Sequence, residues 1–219
     1  MTAREIRNQK LSDRLPTVQT LSLSVFLFVV APLQASGFIT STVFDLLFGL
    51  VLIPAAVIVS GNRAALILML VAIALVVVVG ARQATTVDKL LDDLAWLIAG
   101  LTLGVVVART VFGAGKITFH RVVGGALVYL IIGLVFVPLI GFVHLLDPDV
   151  LPNLDRKEEN FPTFIYYSFT TLTTTGYGDI APVHPYARGL ANIEQAIGAL
   201  FPATLLARLV TLEIENRHF

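Results

Sequence analysis

The chain has 219 residues, of which 56% are hydrophobic and only 14% are charged. Soluble domains usually have about a quarter of their residues charged, so this composition excludes a single soluble globular core and predicts an all-α integral membrane protein. Cysteine is absent and the formal net charge is zero, which excludes disulfides and thiolate metal sites and gives no indication of a nucleic-acid partner.

Six long apolar stretches follow one another along the chain. A helix that crosses the hydrocarbon core of a bilayer needs about 20 apolar residues, with a usual range of about 17–25. We therefore predict six transmembrane helices, although the first and third stretches lie at the short end of that range. The stretches are Leu21–Ala35, Phe38–Ser60, Ala64–Gly80, Leu94–Phe112, Val122–Leu146 and Ala187–Val210.

The first stretch has an alternative interpretation as a cleavable signal peptide. Arg4, Arg7, Lys10 and Arg14 could form the basic region that precedes such a segment. No small-x-small cleavage site follows cleanly, although Ala35-Ser36-Gly37 comes close. We expect the segment to be retained, because a chain with five spans would place its N-terminus outside.

The distribution of basic residues gives the orientation. The predicted cytoplasmic segments hold nine Lys and Arg residues and the outer segments hold five, so both termini are expected in the cytoplasm of a plasma (inner) membrane protein. An acidic outer loop, with Asp147, Asp149, Asp155, Glu158 and Glu159, is either a solvated loop or a vestibule that concentrates cations. Four dispersed histidines, which show no metal-ligand spacing, are His120, His144, His184 and His218.

The outer stretch before the last span contains a segment too short to cross the membrane. Asn160-Phe161-Pro162-Thr163 is typical of a helix start, and the apolar run Phe164–Leu172 is only about nine residues long. We predict a re-entrant half-helix there. The polar segment Thr173–Pro182 follows, and non-helical backbone at membrane depth is tolerated only when it is buried in protein or lines a wet cavity.

The polar segment has the composition of a cation filter. Rings of backbone carbonyls can replace the hydration shell of a dehydrated K⁺ ion when several copies of such a strand surround an axis. Carbonyls face one side only if the backbone alternates between right- and left-handed dihedrals, which Gly176 and Gly178 accept without penalty. The Thr174 hydroxyl can add an innermost ring, and the half-helix directs its negative C-terminal end toward the cavity.

These residues resemble a known family. Thr173–Asp179 is similar to the TTxGYGD signature of potassium channels, and Tyr166-Tyr167-Ser168 is similar to the aromatic end of the family's pore helix. Ala181-Pro182 fits the residues after the filter, and Ile193–Val210 is similar to the inner helix of bacterial members. The resemblance covers roughly residues 122–210.

The resemblance implies a homotetramer in membrane lipid, with permeant K⁺ ions and no organic cofactor. It implies that filter carbonyls bind K⁺ and that side chains behind the filter support it, with Tyr166 as the candidate partner of Asp179. The implied ion-binding residues are Thr174, Thr175, Gly176, Tyr177 and Gly178, and the implied supporting residues are Tyr166, Tyr167 and Asp179.

Two residues depart from the family pattern. Thr175 stands where valine is usual and adds a hydroxyl behind the filter. Thr170 occupies a position that carries a glutamate partner of the aspartate in some members. Neither changes the carbonyl rings, and both leave the inactivation behaviour open.

The predicted division of the chain has five parts. Residues 1–18 form the cytoplasmic N-terminus, 19–112 a four-helix transmembrane scaffold, 113–121 a linker, 122–213 the pore domain, and 214–219 a short cytoplasmic tail.

The scaffold resembles a voltage sensor in its position but not in its charge. A sensor needs several arginines on the fourth span, since moving one charge across the membrane is worth about 2.3 kcal/mol per 100 mV. Here the fourth span holds only Arg109, and Asp88, Asp92 and Asp93 crowd its outer end. We predict weak or absent voltage dependence. Asp45, in the second span, is expected near the outer interface.

The predicted inner helix carries two residues that suit a gate. Gly198 and Pro202 lie in its middle and are interpreted as either a hinge or a simple kink. Glu194 is expected to hydrogen-bond near the pore helix rather than to meet ions.

The leading hypothesis is passive, K⁺-selective conduction, with no enzymatic activity. A non-selective cation channel, in which Thr175 relaxes the filter, is one alternative. A transporter or a non-conducting membrane subunit is another, although transporters tend to show paired interrupted helices and this chain shows one interruption.

Overall fold

The computed structural model describes residues 15–80, 86–113, 119–154 and 161–217. The predictions for the basic N-terminal residues and for Asp155, Glu158 and Glu159 lie outside these ranges. The described residues form seven helices of at least 12 residues, one three-residue 3₁₀ helix at Pro148–Val150 and no strands. The helices are α1 (Leu15–Ala35), α2 (Ser41–Val59), α3 (Arg63–Gly80), α4 (Thr86–Phe112), α5 (Phe119–Leu146), α6 (Phe161–Leu172) and α7 (Pro185–Arg217).

The lengths of these helices suit a membrane protein. Within the described ranges, α1, α2, α4, α5 and α7 are long and apolar enough to cross a bilayer. In α3 the apolar segment Arg63–Val79 is shorter than the other five. Its shortness agrees with the marginal length of the third stretch in the sequence, and the sixth span therefore stays a prediction.

Helix α1 contains one wide turn. Pro32 has no amide hydrogen, and a proline ring inside a helix clashes with the carbonyl four residues earlier. The backbone accommodates it with a π-helical turn at Phe26–Val30, in which the N–H of Ala31 donates to the carbonyl of Phe26. This turn lies where α1 meets both the scaffold core, through Phe26, and α6, through an edge-to-face contact of Phe28 with Phe169.

An aromatic cluster forms the core of the scaffold helices α1–α4. Trp96 is 1% exposed and stacks on Phe48, with ring centroids 3.3 Å apart and an interplanar angle of 8°. Phe26 and Phe44 pack on the same indole. Phe161, the first residue of α6, also contacts Trp96, with ring centroids 4.0 Å apart. The cluster therefore joins the scaffold to the start of the half-helix.

The scaffold packs on α5 through small residues of α4. A Cβ placed on Gly100 would lie 2.9 Å from a methyl of Val135, and one on Gly104 would lie 3.1 Å from a methyl of Ile131. Gly100 and Gly104 form a G-x-x-x-G pattern, which lets membrane helices approach closely. Sequence reasoning missed this contact, although the pattern could have revealed it.

The C-terminal end of α4 and the N-terminal end of α5 are joined by Arg121. Its Nε donates to the carbonyl of Val111 at 2.7 Å, and its Nη2 donates to the carbonyl of Gly113. A basic side chain at the C-terminal end of a helix satisfies carbonyls that have no partner within the helix. Helix α5 begins at Phe119, three residues before the predicted start of the pore domain at Val122.

A second, smaller apolar cluster lies at the C-terminal end of α5. The turn Pro148–Val150 and the segment after it pack against α5, α6 and α7. The N–H of Val183 donates to the carbonyl of Val150 at 3.0 Å, which anchors the segment between α6 and α7. The buried members of this cluster are Ile140, Val150, Leu151, Leu154, Tyr167 and Ala187.

Helix α7 is continuous through Pro202 and is largely uncovered. In its most apolar window 11% of the residues are buried, against 56% in the corresponding window of α5. Leu200 is 63% exposed and Leu206 is 64% exposed. An apolar helix of this kind needs lipid or further protein to cover it.

Candidate functional site: the half-helix and the segment after it

Helix α6 is a short amphipathic helix that ends in the middle of the fold. Its 12 residues form a short helix where the sequence predicted a half-helix, and the re-entrant position of this helix in the membrane stays a prediction. The predicted cap, Asn160, lies outside the described residues. The buried positions recur at the spacing of one helical face, and they are Pro162, Ile165, Tyr167, Ser168, Phe169 and Leu172.

The end of α6 holds the start of the segment that the sequence predicts to be a filter, Thr173–Asp179, which is called the filter segment below. The N–H of Thr173 donates to the carbonyl of Phe169 at 3.0 Å, and the N–H of Thr174 donates to that of Thr171 at 2.9 Å. The carbonyl of Thr170 accepts from both Thr175, at 2.9 Å, and Gly176, at 3.1 Å. Four consecutive amides are thus satisfied by the last turn of α6, because those carbonyls have no partners within the helix.

The filter segment alternates in backbone handedness. The φ angle is 58° at Thr174, 50° at Gly176 and 84° at Gly178, so every second residue is left-handed. The sequence predicted this alternation at the two glycines but not at Thr174. Among the described residues, Thr174 is the only non-glycine residue with positive φ. Such strain costs about 1–3 kcal/mol and is typical of functional sites.

The threonine hydroxyls around this junction have partners within the chain. Thr173 Oγ1 donates to the carbonyl of Phe169 at 2.6 Å and lies 2.9 Å from Thr175 Oγ1. The hydroxyl by which Thr175 departs from the family pattern is therefore within hydrogen-bond distance of its neighbour. Thr170, the other departure, donates to the carbonyl of Tyr167 at 2.9 Å.

Tyr166 joins α6 to the end of the filter segment. Its hydroxyl donates to Asp179 Oδ2 at 2.6 Å, which is the contact expected from the resemblance. Its ring lies parallel to that of Tyr177, with centroids 6.3 Å apart and an interplanar angle of 1°. This hydrogen bond raises the pKa of Tyr166 to about 12 and lowers the pKa of Asp179. Both groups lie outside the spanning helices, and at neutral pH the pair is a phenol and a carboxylate.

Tyr167 has a different environment from Tyr166. Its side chain is 3% exposed and belongs to the second, smaller apolar cluster with Ile140 and Val150. The structure therefore brings Tyr166 and Asp179 together and places Tyr167 beside the turn that follows α5. Its predicted role as a filter support stays a prediction.

The carbonyl of Leu172, the last residue of α6, is surrounded by α5 and α7. A Cβ placed on Gly198 would collide with this carbonyl oxygen. Tyr129 of α5 donates its hydroxyl to the same oxygen at 3.3 Å. Gly198 is therefore required by the close approach of two backbones. The predicted hinge role of Gly198 and Pro202 stays a prediction.

Ser168 is the meeting point of α5, α6 and α7. It is fully buried, and Glu194 is 2% exposed. Ser168 Oγ lies 2.8 Å from the carbonyl of Gly133 and 2.5 Å from Glu194 Oε1. The prediction that Glu194 hydrogen-bonds near the half-helix is confirmed.

A cavity of about 250 Å³ lies between α2, α4, α5 and α6. Its walls combine the aromatic cluster with Lys89 and four aspartates from α2 and α4. Asp45 is buried there, and its expected place near the outer interface stays a prediction. The aspartates are Asp45, Asp88, Asp92 and Asp93. No cluster of three or more metal-ligating side chains is found in the described part of the chain.

The geometry and one comparison indicate the class of protein. Residues 127–215 match a protein-family model described as "Ion channel". The match begins in α5, includes α6 and the filter segment, and ends near the end of α7. It supports an ion channel in a membrane as the class of this protein and specifies no permeant ion. Searches of the curated proteins and of the solved structures found no match.

Proposed function

We propose that the chain is one subunit of a potassium-selective channel, in which K⁺ crosses the membrane passively through a filter formed by four copies. The observation that carries the proposal is the filter segment itself, which is non-helical, left-handed at every second residue, and hydrogen-bonded to the end of a half-helix.

Alternating handedness suits the binding of a bare cation. When right- and left-handed residues alternate, successive carbonyls can point to one side, and several such strands around an axis replace hydration water. The proposed K⁺ ligands are backbone carbonyl oxygens of the filter segment, and the Thr174 hydroxyl can add to them. The residues are Thr174, Thr175, Gly176, Tyr177 and Gly178.

The proposed assembly follows from what one chain leaves uncovered. Residues 173–179 are all exposed in the single chain. Non-helical backbone at membrane depth must be buried in protein or line a wet cavity, so the filter segment requires further copies around it. Closed cyclic symmetry makes identical copies the simplest solution, and the uncovered face of α7 is available to pack against them. Membrane lipids are the other proposed partners.

The proposed topology has six spans with both termini in the cytoplasm of a plasma (inner) membrane. Voltage dependence is expected to be weak, because Arg109 is the only arginine of α4 and the aspartates at its outer end have the opposite charge.

The test is ion flux through purified protein in liposomes. We expect K⁺ to pass much faster than Na⁺. We also expect Gly176→Ala to abolish the preference, because alanine resists a φ of 50° although no atom lies within 4 Å of its Cβ. Gly189→Ala is the matched control, since Gly189 lies in α7 with open space around it and no positive φ. Equal loss of selectivity in both variants would contradict the role of the filter backbone.

A non-selective cation channel is the second candidate. It is favoured by the Thr175 hydroxyl, which lies 2.9 Å from Thr173 Oγ1 behind the filter. Reversal potentials under mixed ions separate the two functions, because equal K⁺ and Na⁺ permeability of the unaltered protein would support the second. Absence of flux for either ion in a correctly assembled protein would indicate a non-conducting subunit.

A further inference from the structure

Ser168, Glu194 and the carbonyl of Gly133 form a buried group. The number of donor hydrogens that this group needs for its hydrogen bonds bears on the protonation state of Glu194. The serine hydroxyl has one hydrogen, and a backbone carbonyl can only accept. Ser168 Oγ is nevertheless within hydrogen-bond distance of two oxygens, Gly133 O at 2.8 Å and Glu194 Oε1 at 2.5 Å. Both contacts are hydrogen bonds only if one of these oxygens carries a hydrogen of its own.

The carboxyl group of Glu194 is the one that can carry it. If Glu194 is a neutral acid, its O–H donates to Ser168 and Ser168 donates to Gly133. If Glu194 is ionised, the carboxylate and the carbonyl compete for one hydrogen, and one of the two contacts becomes a repulsive pair of acceptors. The 2.5 Å separation shows only that Ser168 Oγ and Glu194 Oε1 are hydrogen-bonded, at the short end of the O–H···O range.

The surroundings of Glu194 favour the neutral acid. Its side chain is 2% exposed, and a buried charge is costly unless a partner of opposite charge compensates it. The titratable groups that interact with it from the packed helices are Tyr129 on α5 and Tyr167 on α6. Both are phenols, which are neutral at physiological pH and supply no positive charge.

We propose that Glu194 is a protonated positioning residue that links the three helices of the pore. Its carboxylic acid donates to Ser168, and Ser168 donates to the carbonyl of Gly133, so that α7, α6 and α5 are joined through one chain of hydrogen bonds. When the proton leaves to solvent, the Ser168 hydrogen turns to the carboxylate and the bond to Gly133 is lost.

The position of this link gives it an effect on the filter segment. Ser168 lies one helical turn before Leu172, whose carbonyl precedes the filter segment. Glu194 lies one turn before Gly198, which packs against that carbonyl. The hydrogen bond between protonated Glu194 and Ser168 therefore fixes the position of α6 along α7. Conduction and assembly are expected to weaken as pH rises and the proton is lost. The expected effect on conduction rests on the proposed function, whereas the protonation of Glu194 does not.

The first experiment is infrared spectroscopy of the full-length protein in membranes over a pH titration. We expect the band of a protonated carboxyl group in the unaltered protein, its absence in Glu194→Gln, and a shift of the band in Ser168→Ala, which removes the hydrogen-bond partner. Asp149→Asn is the control, because this exposed acid lies outside the group and its removal leaves the band unchanged. A spectrum of the unaltered protein without a band that depends on Glu194 would overturn the proposal.

The second experiment compares thermal stability and K⁺ flux across the same pH range. A glutamine amide can donate to Ser168 at any pH, so Glu194→Gln should keep the acid-state stability and flux of the unaltered protein under alkaline conditions. The unaltered protein should lose flux about tenfold, the size expected for one or two buried hydrogen bonds.

An identical pH dependence in the unaltered protein and in Glu194→Gln would contradict the proposal. Ser168→Ala keeps the test open if the glutamine variant fails to fold. If the protein shows the carboxyl band and the pH-dependent melting but no K⁺ flux, the proposed function is contradicted and the protonated Glu194 is supported.

Discussion

The scaffold helices α1–α4 and the helices α5–α7, called the pore helices below, are stabilised in different ways. In the scaffold, the main contacts are apolar, with Trp96 stacked on Phe48 and α4 packed on α5 through Gly100 and Gly104. In the pore helices, the contacts that surround the filter segment are hydrogen bonds to carbonyl or carboxylate oxygens, such as those of Tyr129 and Tyr166.

This difference follows from what each region must hold in place. Regular helices satisfy their own backbone groups, so close packing is sufficient to join them in a membrane. A non-helical segment has backbone and side-chain polar groups that need specific partners. Substitutions in the scaffold should therefore change stability, and substitutions around the filter segment should change conduction.

The largest effect is expected for Gly198→Ala. The new methyl would meet the carbonyl oxygen of Leu172, and a backbone atom at the end of α6 cannot move aside as a flexible side chain can. We expect a loss of about 3 kcal/mol or more of stability, together with a loss of K⁺ flux, measured by thermal melting and in liposomes.

Gly189→Ala in the same helix, where no neighbouring atom lies within 4 Å, should melt like the unaltered protein. If Gly198→Ala assembles and conducts normally, the close approach of α7 to the end of α6 is not required.

An intermediate effect is expected for Gly104→Val in the scaffold. The side chain would crowd the methyl of Ile131, which is already 3.1 Å from an added Cβ, and overpacking of this kind costs about 1–3 kcal/mol. We expect a lower melting temperature with unchanged K⁺/Na⁺ selectivity in the protein that remains folded.

The matched control is Gly49→Val in α2, where the nearest atom to the added Cβ would be a methyl of Val77 at 3.9 Å. A change of selectivity without a change of melting temperature in Gly104→Val would reverse the comparison between the two regions.

The smallest effect on stability is expected for Tyr166→Phe, which removes only the hydroxyl that donates to Asp179. Both side chains are accessible to solvent in the single chain, so the fold should remain intact. The K⁺/Na⁺ selectivity, or the time for which it is maintained during conduction, should change because Asp179 ends the filter segment. Asp179→Asn should have a similar effect, and the double variant should resemble either single variant. Reversal potentials provide the measurement, and strictly additive effects would show that the two residues act separately.

The sequence predicted those features that depend on local composition. Apolar stretches gave the positions of the helices, and the short run Phe164–Leu172 with the glycines after it gave the half-helix and the left-handed positions. The positive φ of Thr174 was not predicted, because it depends on how the filter amides reach the last carbonyls of α6.

Contacts between distant segments were the least predictable. Gly198 suits a hinge when only its own helix is considered, and its contact with Leu172 exists because two helices meet in space. For Glu194 the sequence predicted a hydrogen bond near the half-helix but not its partner, because Ser168 lies 26 positions from Glu194 and 35 positions from Gly133. Spacing within one helix carries no information about such pairs.

The two hydrogen bonds of Arg121 have a mechanical consequence. The guanidinium donates to carbonyls at the carboxyl end of α4, and Arg121 belongs to the first turn of α5. These two helix ends are therefore joined by side-chain hydrogen bonds as well as by the chain. A displacement of the end of α4 would therefore also act on the start of α5 through this side chain.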